Sequence, residues 1–511
     1  MEHPSREGVQ FVLDVLEHGA DIRYEGERES MTVAPNLASV KEQPEAVTAY
    51  LEAEVTAGRI AGPFNEPPWP GFKTSPIGLV PKGDSGSRLI NHLSFGGEAS
   101  INGSIGKWEC KLGSFEEAVS LVKKAGQGCK LIKVDVKAAF RLIPVRQQDL
   151  HLLGMKWDGH YFVDLCLPFG LRSSPPIWER FSRMLRWLLI NKAECPLVTH
   201  YVDDFLVVVP AGKDADAVRR RVLRTFEELG VPVSTNKLVG PTERLEFLGH
   251  ELDSVSMTCQ VAPTKKEAAL AIIQHVVGKT YVERKEVESL LGRLFFLTRV
   301  VRQGRAFLAR CIEVLRGKRK RRIKMTEAVK DDLKWWTQFL PRWSGITLTF
   351  DDTWVDSDVL ALYTDASERG AGAYFGGEWF SHPWSEEELK AAWRSKRLSL
   401  AYLELLAVGH ALSTWGDKLQ GRQVRLHSDN KAAVFAMGKW GTRDTRLMEL
   451  VRAIVMLTIE KQFVLRLVYV KSIDNTFADP LSRLDLALFQ ARCPIANQVQ
   501  SEMIPIRVTG W

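Results

Sequence analysis

The chain has 511 residues, enough for several hydrophobic cores, so a single small binding module is excluded. With 45% hydrophobic, 9% aromatic and 26% charged residues it lies far from the composition of disordered chains, and 69 Lys plus Arg against 62 Asp plus Glu leave a formal +7 that permits a polyanionic partner without requiring one. Its seven scattered cysteines suggest neither a disulfide framework nor a zinc site, and no run approaches the roughly 18 apolar residues of a membrane span. The expectation is a soluble intracellular protein of the cytoplasm or nucleus, with no membrane partner.

Residues 1–61 read as an N-terminal extension, weakly patterned until Val47, Tyr50, Leu51 and Val55 fall at helical spacing before Gly58. The stretch AGPFNEPPWPGF excludes regular structure and marks a domain entry near residue 62. Up to about residue 250, strand patterns at LIKVDV (131–136), HYFVDLCL (160–167) and THYVDDFLVVV (199–209) alternate with helical ones over 176–190 and 215–229. That order predicts an α+β sheet covered by helices on one side. Residues 260–345 read as almost wholly helical and contain the basic run RGKRKRRIK (316–324). From 359 strands lead and helices interleave again, predicting a second, α/β domain, while the last 21 or so residues carry no usable pattern.

Within THYVDDFLVVV, Asp203 and Asp204 interrupt an apolar run, and burying two adjacent carboxylates without compensation is severely unfavourable. In a straight strand they would face opposite ways, whereas at a hairpin tip both can aim at one point. LIKVDVKAAF has the same anomaly: Ile132, Val134 and Val136 share one strand face and Asp135 points from the other. Two such strands side by side would gather three carboxylates. Hard oxygen donors of this kind suit Mg²⁺ or Mn²⁺ and not zinc.

Here the sequence resembles reverse transcriptases, through VPKGDSGSR (80–88), KVDVKAAF (133–140), LPFGLRSSP (167–175), YVDD (201–204), Asn236-Lys237 and EFLGH (246–250), in order over about 180 residues. The resemblance implies that Asp135, Asp203 and Asp204 hold two metal ions and that Lys82 and Arg88 contact an incoming deoxynucleoside triphosphate. It places Phe140 under the sugar and has Phe169 and Gly170 shape the nucleotide and template pocket. Lys237, which in related enzymes can protonate pyrophosphate, reads equally well as a loop lysine.

The C-terminal part repeats the acidic anomaly with Asp365 ending LALYTD, Glu404 among leucines in LAYLELLAV, Asp429 ending VRLHSD and Asp479 in ADPLSR. Four carboxylates again suggest a two-metal phosphodiester site. TDAS, LELLAV, HSDN and NTFADPLSR resemble ribonuclease H across about 125 residues, which implies that Asp365, Glu404, Asp429 and Asp479 are the metal ligands. Related enzymes often carry a histidine six residues before the Asn of NxxAD; Tyr469 stands there, so cleavage is expected to be slower or differently assisted.

Trp335, Trp336 and Trp343 cluster in DDLKWWTQFLPRWSG, where packing between helices is the expected role and base stacking the alternative. With LPFGLRSSP and ADPLSR, this linker looks like that of the tyrosine-recombinase (DIRS-type) retroelements. Lys318, Arg319, Lys320, Arg321 and Arg322 of the basic run would track duplex phosphates, serve as a nuclear localisation signal or simply cap a solvated helix. The expected architecture is an α+β and α/β multidomain chain: an extension (1–61), fingers and palm (62–255), a helical thumb and linker (256–348), a ribonuclease H-like domain (349–488) and a tail (489–511). Its implied partners are an RNA template, a DNA or RNA primer and the RNA–DNA hybrid, with two Mg²⁺ or Mn²⁺ per active site. A domesticated non-catalytic binding protein and a structural subunit of a retroelement complex are the alternatives.

Overall fold

The computed structural model describes residues 5–81, 87–316, 321–343, 346–347, 362–394, 397–493 and 499–508. The chain divides into two compact units, Met1–Met257 and Thr258–Trp511. Among the described residues no helix is long and apolar enough to cross a membrane.

In the first unit, helix α1 (Phe115–Ala125) precedes strand β1 (Lys130–Asp135), and α2 (Ser174–Asn191) leads into β2 (Val198–Tyr201), β3 (Asp204–Val209), α3 (Ala215–Glu228) and β4 (Val239–Thr242). The four strands form one antiparallel sheet in the order β2-β3-β1-β4. Ile132, Val134, Phe205 and Val207 on one face pack with Trp178 and Phe181 of α2 and with Val222 and Phe226 of α3. Leu131, Leu206 and Val208, which point the other way, are buried as well, and α1 contacts β2 and β3. The sheet is thus covered on both faces, not one. This is why FLVVV reads as an unbroken apolar run instead of alternating.

A second, three-stranded sheet pairs Ile60–Phe64, His160–Asp164 and Gly154–Trp157, and Ile77–Pro81 pairs antiparallel with Ser87–Asn91. Residues 5–61, set apart in the sequence as an extension, pack into this body. Val12 and Val15 of the helix Arg6–His18 belong to the main core, and Val47 and Leu51 of the helix Pro44–Thr56 pack with Ile77, Leu89 and Met155.

After the strand Thr258–Val261, the second unit continues with helices α4 (Pro263–Val277), α5 (Arg284–Leu297) and α6 (Glu327–Arg342). Its first part is less uniformly helical than expected, because Tyr281–Glu283 and Arg322–Lys324 pair as a small antiparallel sheet. The end of the basic run therefore lies in a strand, with Arg321 almost fully exposed 3.8 Å from Glu283. Lys318, Arg319 and Lys320 lie outside the described residues. Trp335 and Trp336 are buried, and Trp335 stacks on Phe307 with ring centroids 3.9 Å apart, which is the packing role.

Strands β5 (Leu362–Ala366), β6 (Gly370–Phe375) and β7 (Glu378–Pro383) form an antiparallel meander followed by α7 (Glu386–Ala392) and α8 (Leu400–Trp415). Then come β8 (Gln423–Ser428), α9 (Lys431–Lys439), α10 (Thr445–Glu460), β9 (Val464–Tyr469), α11 (Ala478–Ser482) and β10 (Val499–Gln500). The sheet order is β9-β8-β5-β6-β7-β10, with β5, β8 and β9 mutually parallel. Helix α8 is buried nearly all round between α10 and the strands β5 and β6, as its apolar composition requires.

The described residues 499–508 of the patternless tail are placed by pairing, not periodicity: β10 lies parallel to β7, and Ile506 packs on Gly409, where a Cβ would come within 2.8 Å. His410 Nδ1 accepts a hydrogen bond from the Ile506 amide (3.1 Å), which leaves the ring proton on Nε2 to be donated to Glu388 (3.0 Å). His382 meets the other Glu388 oxygen at 3.1 Å. This trio has metal-ligand spacing, yet with the His410 Nε2 lone pair occupied by a proton it is a hydrogen-bonded clip on the tail.

Candidate active sites

β1 ends at Asp135, which stands directly opposite Asp204 at the start of β3. The run 199–209 is broken at Val202, whose φ of 56° is costly for a β-branched residue. It is held there because the Val202 carbonyl accepts hydrogen bonds from Trp178 Nε1 (2.8 Å) and Ser182 Oγ (2.9 Å). The Asp203 carbonyl in turn accepts from the Val136 amide at 2.9 Å. The three carboxylates are thereby brought to the same end of the sheet, at a cleft of about 900 Å³ that Arg88, Phe140, Phe169 and Lys237 also line.

Burial raises the Asp203 carboxyl above its ordinary range, and the nearby Asp204 and Asp135 charges add to this. Burial also raises Asp204, opposed in part by Lys133, whose Nζ is 3.6 Å away. Lys237 Nζ donates to Asp135 Oδ2 at 2.8 Å, and this hydrogen bond raises the lysine's pKa. All three offer oxygen donors, the kind a hard divalent cation takes, but their oxygens do not all lie within 4.8 Å of one another, and Lys133 and Lys237 offset part of their charge.

Phe140 sits in the 3-10 turn Ala139–Leu142, and its ring lies 5.3 Å from that of Phe169. The Arg88 guanidinium stands 5.0 Å over Phe169. Gly170 has φ +100°, and a Cβ there would meet the Asn91 carbonyl at 2.6 Å, so the turn admits only glycine. Lys82 lies outside the described residues.

Three contributors escaped the sequence reading. Tyr50 and Glu54, from the helix Pro44–Thr56, line the same cleft, as does Arg141. Arg141 is buried and pairs with Asp164 (2.6 Å) and Glu54 (3.0 Å). Burial works against its charge, and the two carboxylates more than offset this, so its pKa is raised. A charge inside AAFRLIP was the available signal, of the same kind that exposed the aspartates.

In the second unit, oxygens of Asp365, Glu404 and Asp429 lie within 4.8 Å of one another. Asp365 is the penultimate residue of β5, Glu404 lies on α8 and Asp429 follows β8. Burial pushes Asp365 up to about 6, against the hydrogen bond from Ser482 Oγ (2.5 Å), with Asp429 and Asp479 adding to the rise. Burial, then Asp365 and Asp429, carry Glu404 well above the usual carboxylate range. Asp479 on α11 is outside this trio and is paired with Arg483 at 2.8 Å. The supporting donors Ser428 to Glu404 (3.3 Å), Asn475 to Asp365 (3.4 Å) and Ser472 to Asp429 had no sequence signal of their own. Tyr469 is exposed, with Lys431 Nζ 5.0 Å from its ring. This second trio likewise fits a hard divalent cation.

Residues 85–252 match the family model described as reverse transcriptase (RNA-dependent DNA polymerase). The Gag-Pol polyprotein of Rous sarcoma virus is 24% identical over 245 residues, covering 46% of this chain and 14% of the polyprotein. The transposon Tf2-3 polyprotein of Schizosaccharomyces pombe is 22% identical over 309 residues, covering 56% and 20%. The chain thus spans a fifth or less of the length of these relatives. Among solved structures, the foamy viral protease-reverse transcriptase dRH in complex with double-stranded DNA superposes with a TM-score of 0.52 at 16% identity, over 92% of this chain and 79% of that one. The foamy viral enzyme in complex with RNA/DNA hybrid gives 0.50 at 16% identity, over 91% and 61%. These structures share the mixed α/β fold.

Proposed function

We propose that this chain, whose residues 85–252 are a reverse transcriptase domain related to those of retroviruses and retrotransposons, copies retroelement RNA into DNA and degrades the RNA of the resulting hybrid. The observation that carries the polymerase reading is the register of Asp135 against Asp204, with Asp203 beside them, at a cleft walled by Phe140 and Phe169. Two Mg²⁺ or Mn²⁺ ions held by these carboxylates would supply activation of a primer 3′-hydroxyl and charge neutralisation at the pyrophosphate. The chain's own groups do the rest. Lys82 and Arg88 bind the triphosphate, Phe140 lies under the sugar, and Lys237 holds a proton at Nζ for the leaving pyrophosphate.

The ribonuclease H reading rests on a meander followed by two parallel strands, with Asp365, Glu404 and Asp429 gathered at the end of the central strand. In this reading Asp479 is the fourth ligand, fingers and palm occupy 62–255, thumb and linker 256–348, and the nuclease domain 349–488. Template, primer, hybrid and deoxynucleoside triphosphates are the partners, which the duplex and hybrid complexes of the foamy viral structures support. The lineage is the tyrosine-recombinase type, working in the cytoplasm or nucleus. A domesticated binding scaffold is disfavoured because clustered acids facing a phosphate backbone weaken binding.

The test supplies purified protein with Mg²⁺, an RNA template and an annealed DNA primer, and follows both strands. Primer extension with loss of template RNA is expected. A bound but unextended primer would favour the scaffold.

A further inference from the structure

We infer that Arg141 is a positioning residue for nucleotide choice, acting through the aromatic pair Phe140 and Phe169; this rests on the polymerase reading above. Phe140 is the residue immediately before Arg141, and both belong to one 3-10 turn. The Arg141 side chain is buried and ties together separate segments that meet behind the cleft. It pairs with Glu54 of the helix Pro44–Thr56 (3.0 Å) and with Asp164 (2.6 Å), and it donates to the carbonyls of Arg59 (3.2 Å) and Cys166 (3.2 Å). Cys166 lies three residues before Phe169. One guanidinium therefore fixes both backbones that carry the two rings, whose centroids stand 5.3 Å apart.

Only arginine offers five donors in a planar fork that can serve two carboxylates and two carbonyls at once; a lysine keeps the charge, but its three donors share one nitrogen and cannot span the four partners. With the fork gone, the turn and the Phe169 segment lose their common anchor. The rings then drift relative to the incoming sugar, while the carboxylates, held by β1 and β3, stay in place. Misplacement of this kind falls on nucleotide binding and selection more than on chemistry. It also gives the N-terminal helix Pro44–Thr56 a part in selection, through Glu54.

The experiment measures kcat/KM for a deoxynucleotide and for its ribonucleotide on one primer-template, with wild type, Arg141→Lys, the milder Glu54→Gln, Phe140→Ala and the double variant Arg141→Lys/Phe140→Ala. Thermal melts establish that each protein is folded. Both anchor variants are expected to raise the deoxynucleotide KM more than they lower kcat, and to reduce discrimination against the ribonucleotide by about tenfold. In the Phe140→Ala background, Arg141→Lys should change discrimination no further, because the ring it positions is gone. Wild-type discrimination in both folded anchor variants would overturn the inference, as would an Arg141→Lys effect that persists in full without the Phe140 ring. A wild type that extends no primer would instead overturn the polymerase reading, and this inference with it.

Discussion

Lys237 donates a hydrogen bond to Asp135 at 2.8 Å, a contact that joins groups 102 residues apart in sequence. The ammonium occupies the carboxylate oxygen that a cation would need, so lysine and cation compete for Asp135 before substrate arrives. Lys237→Gln should therefore tighten binding of Mn²⁺ to the nucleic-acid-free protein several-fold while slowing primer extension, since an amide cannot deliver a proton. Mn²⁺ titration followed by electron paramagnetic resonance checks the first part. Equal affinity in variant and wild type would separate Lys237 from the metal site.

Asp365 is raised from its ordinary 3.8 to about 6 by burial. A carboxyl raised on folding adds stability below its unfolded value and loses that contribution as pH rises through the folded one. Without divalent metal, the Tm of wild type minus that of Asp365→Asn should fall as pH rises from about 4 to about 6, and added Mg²⁺ should recover most of the loss above pH 6. A difference independent of pH would contradict the buried carboxyl.

Asp429 and Asp203 lie in different compact units. Asp429→Asn should reduce cleavage of RNA in a hybrid by about 100-fold or more and leave primer extension nearly intact. Equal loss of extension in a folded variant would sink the assignment of separate chemistries.

The Phe140 ring is half-buried, so part of it faces the cleft. Phe140→Val should raise ribonucleotide incorporation relative to deoxynucleotide incorporation, chiefly through the ribonucleotide's kcat/KM. An unchanged ratio in an active variant would make Phe140 a packing residue.

Acids in apolar runs are conspicuous in a sequence because their burial needs a reason, and Asp135, Asp203, Asp204, Asp365 and Glu404 were legible for that cause. The turn at Val202 was not. The carbonyl that stabilises it is held by Trp178 and Ser182, 24 and 20 residues away. Arg141 was marked by its charge inside AAFRLIP, but its pairing with Glu54, 87 residues away, was not legible for the same reason: pairing over such distances leaves no periodic trace. Double-sided burial of the first sheet erased the alternation in FLVVV, and Val499–Gln500 follow the edge of β7, not a pattern of their own.

In the proposed function, the carboxylates at the β1 and β3 ends perform template-directed DNA synthesis. Extension of a DNA primer on an RNA template should proceed with wild type and Mg²⁺ and stop with EDTA. Asp203→Asn should lower it by about 1,000-fold or more while binding of the primer-template persists, because losing one charge disables chemistry before it loosens phosphate contacts. Extension by Asp203→Asn at the wild-type rate would exclude these carboxylates from the chemistry.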